Sequence, residues 1–327
     1  MKPRWKALSG FLLATVLTAP AWGATATALP GTLNYIEGQA SVSDQKLNPK
    51  SVGSVELQPG QPLSTETGKV EILLTPGSFL RVGDNSTVTM VSSSLTNVQA
   101  NLTKGQATVE VAEIHRYNLL RIGEDGTTTR LQKDGLYDFD VDRGQVRVLK
   151  GQALVQDGDQ TVKVKGGHEL DLNQIGKLKV RKFNKKAFED SDLYRFSDLR
   201  SEYLAEANVD AARKYYAGGS GWYGPGWYWD APFWAYTWIP GDGMYSPFGW
   251  GFYSPWDVYD APFLWGGYGF GGYGFGGFGH GYHPGRWGHG TGGYVANGEH
   301  GFGMMGGGFG HGGGGGFHGG GFGGGHR

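Results

Sequence analysis

Short runs of alternating apolar and polar residues, each closed by Gly, Pro, Asn or Asp, occupy the chain from Gly31 to Lys182. Such period-2 runs are typical of half-buried β-strands, and here a turn signal follows about every ten residues. No helical pattern of useful length interrupts them, which disfavours a parallel α/β sheet. We therefore predict an all-β fold of repeated short strands, arranged as a sandwich or barrel or as a β-solenoid. The predicted strands are Thr32–Ile36, Gln39–Val42, Lys69–Leu74, Phe79–Val82, Thr87–Val91, Ala107–Val111, Leu119–Ile122, Thr127–Leu131, Leu136–Val141, Gln145–Leu149, Ala153–Val155, Thr161–Val164 and Glu169–Leu172.

The period changes from two to between three and four over residues 190–216, which predicts one amphipathic helix. Asp190 or Ser191 suits its N-cap, and Gly218-Gly219 stands just past its end, where helices commonly stop. We expect this helix to pack on the β domain or to space it from the rest of the chain. Its predicted apolar face consists of Leu193, Phe196, Leu199, Tyr203 and Ala207.

Composition shifts abruptly after the helix, where 42 of the 61 glycines and nine of the eleven tryptophans lie. Residues 266–327 are almost entirely Gly with Phe, Tyr and His. Because glycine has a high backbone entropy and no side chain to bury, we predict that this Gly/His-rich tail is largely disordered.

Residues 218–265, called the aromatic segment below, combine Trp and Tyr with Pro and Asp. The sequence Trp229–Phe233 (WDAPF) recurs as Tyr259–Phe263 (YDAPF). Two arrangements are open: a strap across the β domain that buries large aromatic area, or an exposed association patch. As candidate binding residues we take Trp222, Trp227, Trp229, Trp234, Trp238, Trp250, Trp256 and Trp265.

The N-terminus has the three parts of a secretory signal. Basic residues at positions 2, 4 and 6 precede an apolar run from Ala7 to Leu17, and small residues follow from Ala21 to Ala28. The apolar run is shorter than the roughly 20 residues that span a bilayer. We therefore predict a signal peptide over residues 1–26, and a periplasmic or secreted bacterial protein that does not span the membrane after cleavage.

Charge and cysteine content exclude several classes of function. The chain has no cysteine, so neither disulfides nor thiol chemistry is available. Its formal net charge is −1, and removal of the basic signal makes it more acidic. Since nucleic-acid binding depends on clustered Lys and Arg, we expect no nucleic-acid partner.

Four stretches within Gly31–Leu172 resemble, in order and spacing, the periplasmic FecR domain. They are Leu74–Val88, Leu102–Ala107, Asp134–Val141 continued by Val148–Ala153, and Gly166–Leu170. The resemblance implies a β-strand-repeat fold in the periplasm or outside the cell. In the best-known members this domain follows a cytoplasmic anti-sigma segment and a transmembrane helix, and relays an iron-uptake signal. Because this chain shows a cleavable type of signal in their place, we do not carry the sigma-regulator role over.

No arrangement typical of catalysis is found in the sequence. His168-Glu169 lacks the second histidine of a zinc-binding H-E-x-x-H, because position 172 is Leu, and His115 lies in a polar turn. Asp138 and Asp140 share one strand face, which we expect to be solvated rather than to hold an acid/base pair. Gly269–Gly274 matches G-x-G-x-x-G only by composition, since no strand, helix or downstream acid surrounds it. We therefore expect no enzyme and no cofactor.

Histidines in the tail are the weak candidates for metal binding. His280, His283 and His289 could form a loose chelating site for Ni, Cu or Zn, but they lack cysteine or clustered carboxylate partners. We expect no metal.

These observations favour a non-catalytic binding or scaffold protein of the cell envelope. Its partner would be an envelope protein or a glycan, with self-association through the tail. Two alternatives stay open: a glycan- or peptidoglycan-binding protein that stacks sugars on the aromatic segment, and a component of envelope signalling.

Overall fold

The computed structural model describes residues 28–124, 126–218 and 222–259 of the 327-residue chain. Contacts divide the chain into two units, Met1–Tyr268 and Gly269–Arg327, and every described residue belongs to the first. The predicted signal peptide, the tail, Trp265 and the three tail histidines lie outside the described residues.

Fifteen β-strands precede the helices. They are β1 (Leu33–Val42), β2 (Gln45–Lys46), β3 (Pro62–Leu73), β4 (Ser78–Val82), β5 (Thr87–Ser94), β6 (Asn97–Lys104), β7 (Gln106–Val111), β8 (Leu119–Glu124), β9 (Thr127–Leu131), β10 (Gly135–Asp140), β11 (Gln145–Lys150), β12 (Gln152–Asp157), β13 (Gln160–Lys165), β14 (His168–Asp171) and β15 (Val180–Lys182). Two short 3-10 helices, Pro49–Ser51 and Val141–Arg143, interrupt them. Next come α1 (Lys185–Glu189), α2 (Asp192–Ala217), β16 (Gly226–Asp230), β17 (Ala235–Ile239), β18 (Met244–Tyr245) and β19 (Gly251–Phe252).

Strands β1 to β15 form a single sheet. Thirteen of them follow one path, in the order β13-β12-β9-β8-β6-β5-β3-β4-β7-β10-β11-β14-β15, while β1 pairs with β3 and β2 pairs with β1. Neighbours are antiparallel except β6 and β8, which are parallel. Strand β13 at one end of the path contacts β11 and β14 near the other end, so the sheet is nearly closed and barrel-like. The predicted all-β class of repeated short strands is confirmed.

Alternate side chains of these strands fill the barrel-like interior with an apolar core. Ile72, Leu80, Val109 and Phe139 on four neighbouring strands are each no more than 1% exposed. Burial of such a side chain contributes about 1.5–3 kcal/mol, so this interior is the main source of stability.

The turns use the residues that positive φ angles require. Asn85 (φ +51°) lies in the turn between β4 and β5, and Gly105 (φ +77°) joins β6 to β7. A Cβ atom on Gly105 would lie 2.2 Å from Oγ of Ser86 and 2.8 Å from its Cα. Only glycine therefore fits at this close approach.

The predicted long helix is confirmed as α2, with Ser191 as its N-cap. The Ser191 hydroxyl accepts the Tyr194 N–H at 3.3 Å. The predicted apolar face is correct for Leu193, Phe196 and Ala207 but wrong for Leu199 and Tyr203, which are 42% and 44% exposed. The buried face instead includes polar residues, among them Ser197, Arg200, Ser201 and Asn208. These polar residues are buried because α2 packs on a charged outer surface of the sheet.

Candidate functional site

The outer surface of one half of the sheet is charged and covered by α2. Glu71 on β3, Arg81 on β4 and Glu110 on β7 are each 0% exposed. Arg81 binds both carboxylates, with Nε 2.8 Å from Glu71 Oε2 and Nη1 2.6 Å from Glu110 Oε2. From α2, Arg200 Nη2 lies 2.9 Å from Glu71 Oε1, and the Ser201 hydroxyl donates to Glu110 Oε1 at 2.7 Å. Helix and sheet are therefore joined by a buried network with two charges of each sign.

Burial and the guanidinium groups act in opposite directions on the two carboxylates of this network. Burial alone would raise the pKa of Glu71, but Arg200 and Arg81 together hold the pKa below its ordinary value. Glu110 is paired with Arg81 alone, and burial raises its pKa. Removal of one partner from such a network leaves an uncompensated buried charge, so the network specifies how α2 docks.

A second charged row on the same face corrects the expectation for Asp138 and Asp140. These carboxylates were expected on a solvated face, but the residues are 0% and 5% exposed. Asp138 accepts from Arg147 Nη1 at 2.7 Å and from Gln106 Nε2 at 2.8 Å. Burial, offset by Arg147, raises the pKa of Asp138 to about 6. The alternation correctly predicted that Asp138 and Asp140 share one face of the strand. It did not show that other parts of the chain cover this face.

Two buried asparagines fix the aromatic segment to this face. The Asn34 side chain accepts the Tyr236 N–H at 2.7 Å and donates to the Tyr236 carbonyl at 2.9 Å. Asn208 on α2 pairs in the same way with the N–H and carbonyl of Tyr253, at 2.7 and 3.0 Å, and also donates to the Trp238 carbonyl. Each amide therefore supplies hydrogen-bond partners to buried main-chain groups of the aromatic segment. The described part of the segment docks on the β domain and α2 as two short hairpins.

Most of the candidate tryptophans take part in this docking. Trp238 is fully buried and lies 5.6 Å from the Phe252 ring, and Trp227 packs edge-on against Phe79 at 5.0 Å. Trp222, Trp229 and Trp250 are partly buried, and the Trp250 indole donates to Asp198 at 2.8 Å. Among the described candidates, only Trp234 and Trp256, 54% and 67% exposed, present most of their surface to solvent.

Three exposed aromatic residues lie close together where α2 ends and the described chain ends. Tyr216 lies 4.3 Å from Tyr259 and 6.1 Å from Trp256, and Trp256 lies 6.3 Å from Trp222. Tyr216, Trp256 and Tyr259 are 45%, 67% and 60% exposed. We call these three residues and Trp222 the aromatic patch. It is the candidate functional site, because rings that remain exposed while packed against one another suit recognition of a partner.

The sequence signal for this site was incomplete. It marked Trp222 and Trp256 as binding candidates, but not Tyr216 or Tyr259. Tyr216 belongs to the helical pattern, and its contact with Tyr259 joins positions 43 residues apart. The alternation in Gly226–Asp230 and Ala235–Ile239, on either side of an Ala-Pro turn, could have revealed the first hairpin.

In the part of the chain that the structure describes, no three His, Asp or Glu side chains come together as metal ligands, and no helix is both long and apolar enough to cross a membrane. His115 lies 3.6 Å from Glu113, and His168 contacts the Gly166 carbonyl at 3.0 Å.

Comparisons with known proteins yield a distant structural match. No family model and no curated protein matches the sequence. Two crystal structures described as a "putative anti-sigma factor" from Parabacteroides distasonis ATCC 8503 are similar to this chain at 9% and 8% identity, each with a TM-score of 0.33. Each match covers 38% of this chain, and the chain spans only 60% of the matched structures.

Proposed function

We propose that this protein is a non-catalytic, exported binding or scaffold protein of the cell envelope, built on a FecR-like β domain. The observation that supports it most is the rigid mounting of the aromatic patch. Buried charges join α2 to the β domain, and hydrogen bonds of Asn34 and Asn208 bind the aromatic segment to both. The exposed rings of Trp256 and Tyr259 therefore stand on an ordered base.

Two further features support this proposal. The FecR-like motifs and the N-terminal signal favour the periplasm or the cell exterior. The buried acids Glu71, Glu110 and Asp138 each bind a guanidinium group. Glu71 and Glu110 also bind Arg200 and Ser201 of α2, an arrangement suited to holding the helix on the sheet and not to proton transfer in a cleft. The partner that fits the patch is an envelope protein that buries aromatic anchors.

The test measures how much of an envelope partner co-purifies with the full-length protein from fractionated cells. The double variant W256A/Y259A should weaken recovery by the roughly 30-fold that corresponds to a hot-spot loss of about 2 kcal/mol. Tyr117→Ala, which removes a tyrosine that is 69% exposed on the β domain, is the matched control. Equal recovery with both variants would refute a role for the patch.

A glycan ligand is the second candidate, because exposed Trp and Tyr ring faces also stack on sugars. It predicts that soluble peptidoglycan fragments change the tryptophan fluorescence of the wild type and not that of W256A/Y259A. A flat titration with the wild type would remove this candidate.

A further inference from the structure

The outer face of the other half of the sheet is open, and among its described residues it carries cations without carboxylates. Five residues on five successive strands of the path, β6, β8, β9, β12 and β13, lie directly opposite one another in register. In strand order this row is Gln99, Arg121, Arg130, Leu154 and Lys163. Lys165 stands in the adjacent row, opposite Gln152. We call Arg121, Arg130, Lys163 and Lys165 the basic face.

The placement of these cations has no explanation within the fold. Arg121 and Arg130 are directly opposed across two strands, and like charges in that position destabilise a sheet. Among the described residues, none of the four cations forms an ion pair. Arg121 donates to the Asn97 side chain at 2.6 Å, and its buried Nε has no hydrogen-bond partner there.

The carboxylates on these strands do not relieve this charge. Glu124 on β8 and Asp157 on β12 belong to the alternate set of side chains, together with the buried Ile122 and Val155. Glu124 is 2% exposed, and Asp157 lies within reach of the Thr127 hydroxyl at 3.4 Å. The basic face therefore keeps its positive charge toward solvent.

Side-chain amides surround the cations and supply neutral hydrogen-bonding groups. Gln152 donates to Gln132 at 2.7 Å, and Gln99 contacts Asn101 at 3.4 Å. The Asn101 side chain lies across Gly123, where a Cβ would come within 2.2 Å of its oxygen. Cations and amides thus form one flat surface on the strands.

A shallow hollow at one end of the row gives this face a concave part. It encloses about 160 Å³ and is lined by Ile114, Leu131 and five polar residues: His115, Arg116, Asn118, Arg130 and Gln132. Arg130 therefore belongs both to the row and to the wall of the hollow, and Arg116 adds a second guanidinium. Arginine is well suited to carboxylates because its planar fork can bind both oxygens.

We propose that the basic face binds an acidic polysaccharide. Its carboxylates would pair with Arg121, Arg130 and Lys163, and its hydroxyl groups would hydrogen-bond with Gln99, Gln132 and Gln152. Neighbouring strands lie about 4.8 Å apart, so the row crosses the sheet as a narrow track suited to one extended polymer. An anionic membrane is less well matched, because three of the four cations lie in one row across the strands and Arg121 is partly buried, whereas a planar headgroup surface favours a broad cluster of exposed cations.

The test measures binding of the full-length protein to polygalacturonate, with dextran as the neutral control polymer. Arg130→Gln and Lys163→Gln are combined in one variant, since both side chains are exposed. The matched control combines Lys46→Gln and Lys182→Gln, which remove two exposed cations elsewhere on the sheet. We expect about fivefold to tenfold weaker binding of polygalacturonate by R130Q/K163Q, unchanged binding by the control, and no binding of dextran.

Three results would overturn the proposal. These are no binding of polygalacturonate by the wild type, equal losses in both double variants, or binding to phosphatidylglycerol vesicles alone. Far-UV circular dichroism verifies that both variants are folded. The variant W256A/Y259A should bind polygalacturonate like the wild type, so a failure of the aromatic patch can be told apart from a failure of the basic face.

Discussion

Replacing Asn34 with alanine tests whether the hydrogen bonds of its side-chain amide hold the aromatic segment on the β domain. Asn34 is 0% exposed, and its side chain makes three hydrogen bonds: two to the main chain of Tyr236 and one, at 2.9 Å, to Glu71 Oε1. The substitution removes the side-chain partner of the buried Tyr236 N–H and carbonyl, and one of the bonds to Glu71.

The expected cost follows from these lost partners. A buried polar group without a partner costs about 1–3 kcal/mol, and Glu71 still keeps Arg81 and Arg200. We therefore expect Asn34→Ala to lower the free energy of unfolding by about 3–5 kcal/mol. That is a large share of the total stability of a typical domain.

Urea unfolding with two probes measures this effect and locates it. Tryptophan fluorescence reports on the aromatic segment, where every tryptophan of the described residues lies, whereas far-UV circular dichroism reports mainly on the sheet and α2. The control is Asn173→Ala, because Asn173 is exposed and also donates to a main-chain carbonyl, that of Arg143. Its cost should stay below about 1 kcal/mol.

A cost of Asn34→Ala no larger than that of the control would refute this role of Asn34. So would a fluorescence transition of Asn34→Ala that matches the wild type while only the dichroism transition shifts. In either case, the hydrogen bonds of Asn34 would not be what holds the aromatic segment on the β domain.

Three further changes test other parts of the structure. The raised pKa of Asp138 means that the native protein binds this proton more tightly than the unfolded chain. Wild-type stability should therefore gain about 2 kcal/mol from this group as pH falls from 7 to 4, and urea titrations of Asp138→Asn should lack that gain. Gly105→Ala should lower the melting temperature far more than Gly60→Ala, because both have positive φ but only Gly105 has Ser86 within 3 Å of a new Cβ. Lys214→Met should cost about 2 kcal/mol in urea unfolding, because it strips the ion-pair partner from Asp230, which is 0% exposed; a cost near zero would show that water already solvates that carboxylate.

Local patterns were sufficient for most strands of the sheet and for the long helix. Alternation and turn residues predicted strands close to β4, β7, β9 and β11, and Ser191 with Gly218 bounded α2. These features depend on neighbouring residues, so a single sequence contains them. Strand β6 was missed because Asn, Gln and Thr dominate it, and such residues are also typical of loops.

The burial of charge could not be predicted from local patterns. Arg200 reaches Glu71 across 129 positions of sequence, and Ser201 reaches Glu110 across 91. Periodicity shows which side chains share a face, but it does not show which distant element covers that face. For the same reason Leu199 and Tyr203 were assigned to the wrong side of α2, because an apolar stripe was expected where the helix in fact meets charged strands.

The same alternation thus produces two outer faces that differ in their need for charge pairing. Under α2, Glu71 and Glu110 must be matched by Arg81 and Arg200, because a buried charge without a partner is strongly destabilising. On the open half, water screens each charge, and folding imposes no such balance. The directly opposed Arg121 and Arg130 are therefore tolerated by the fold without being required by it. Neutral residues at these two positions should leave the sheet equally or more stable, and an anionic ligand is what would make the cations useful there.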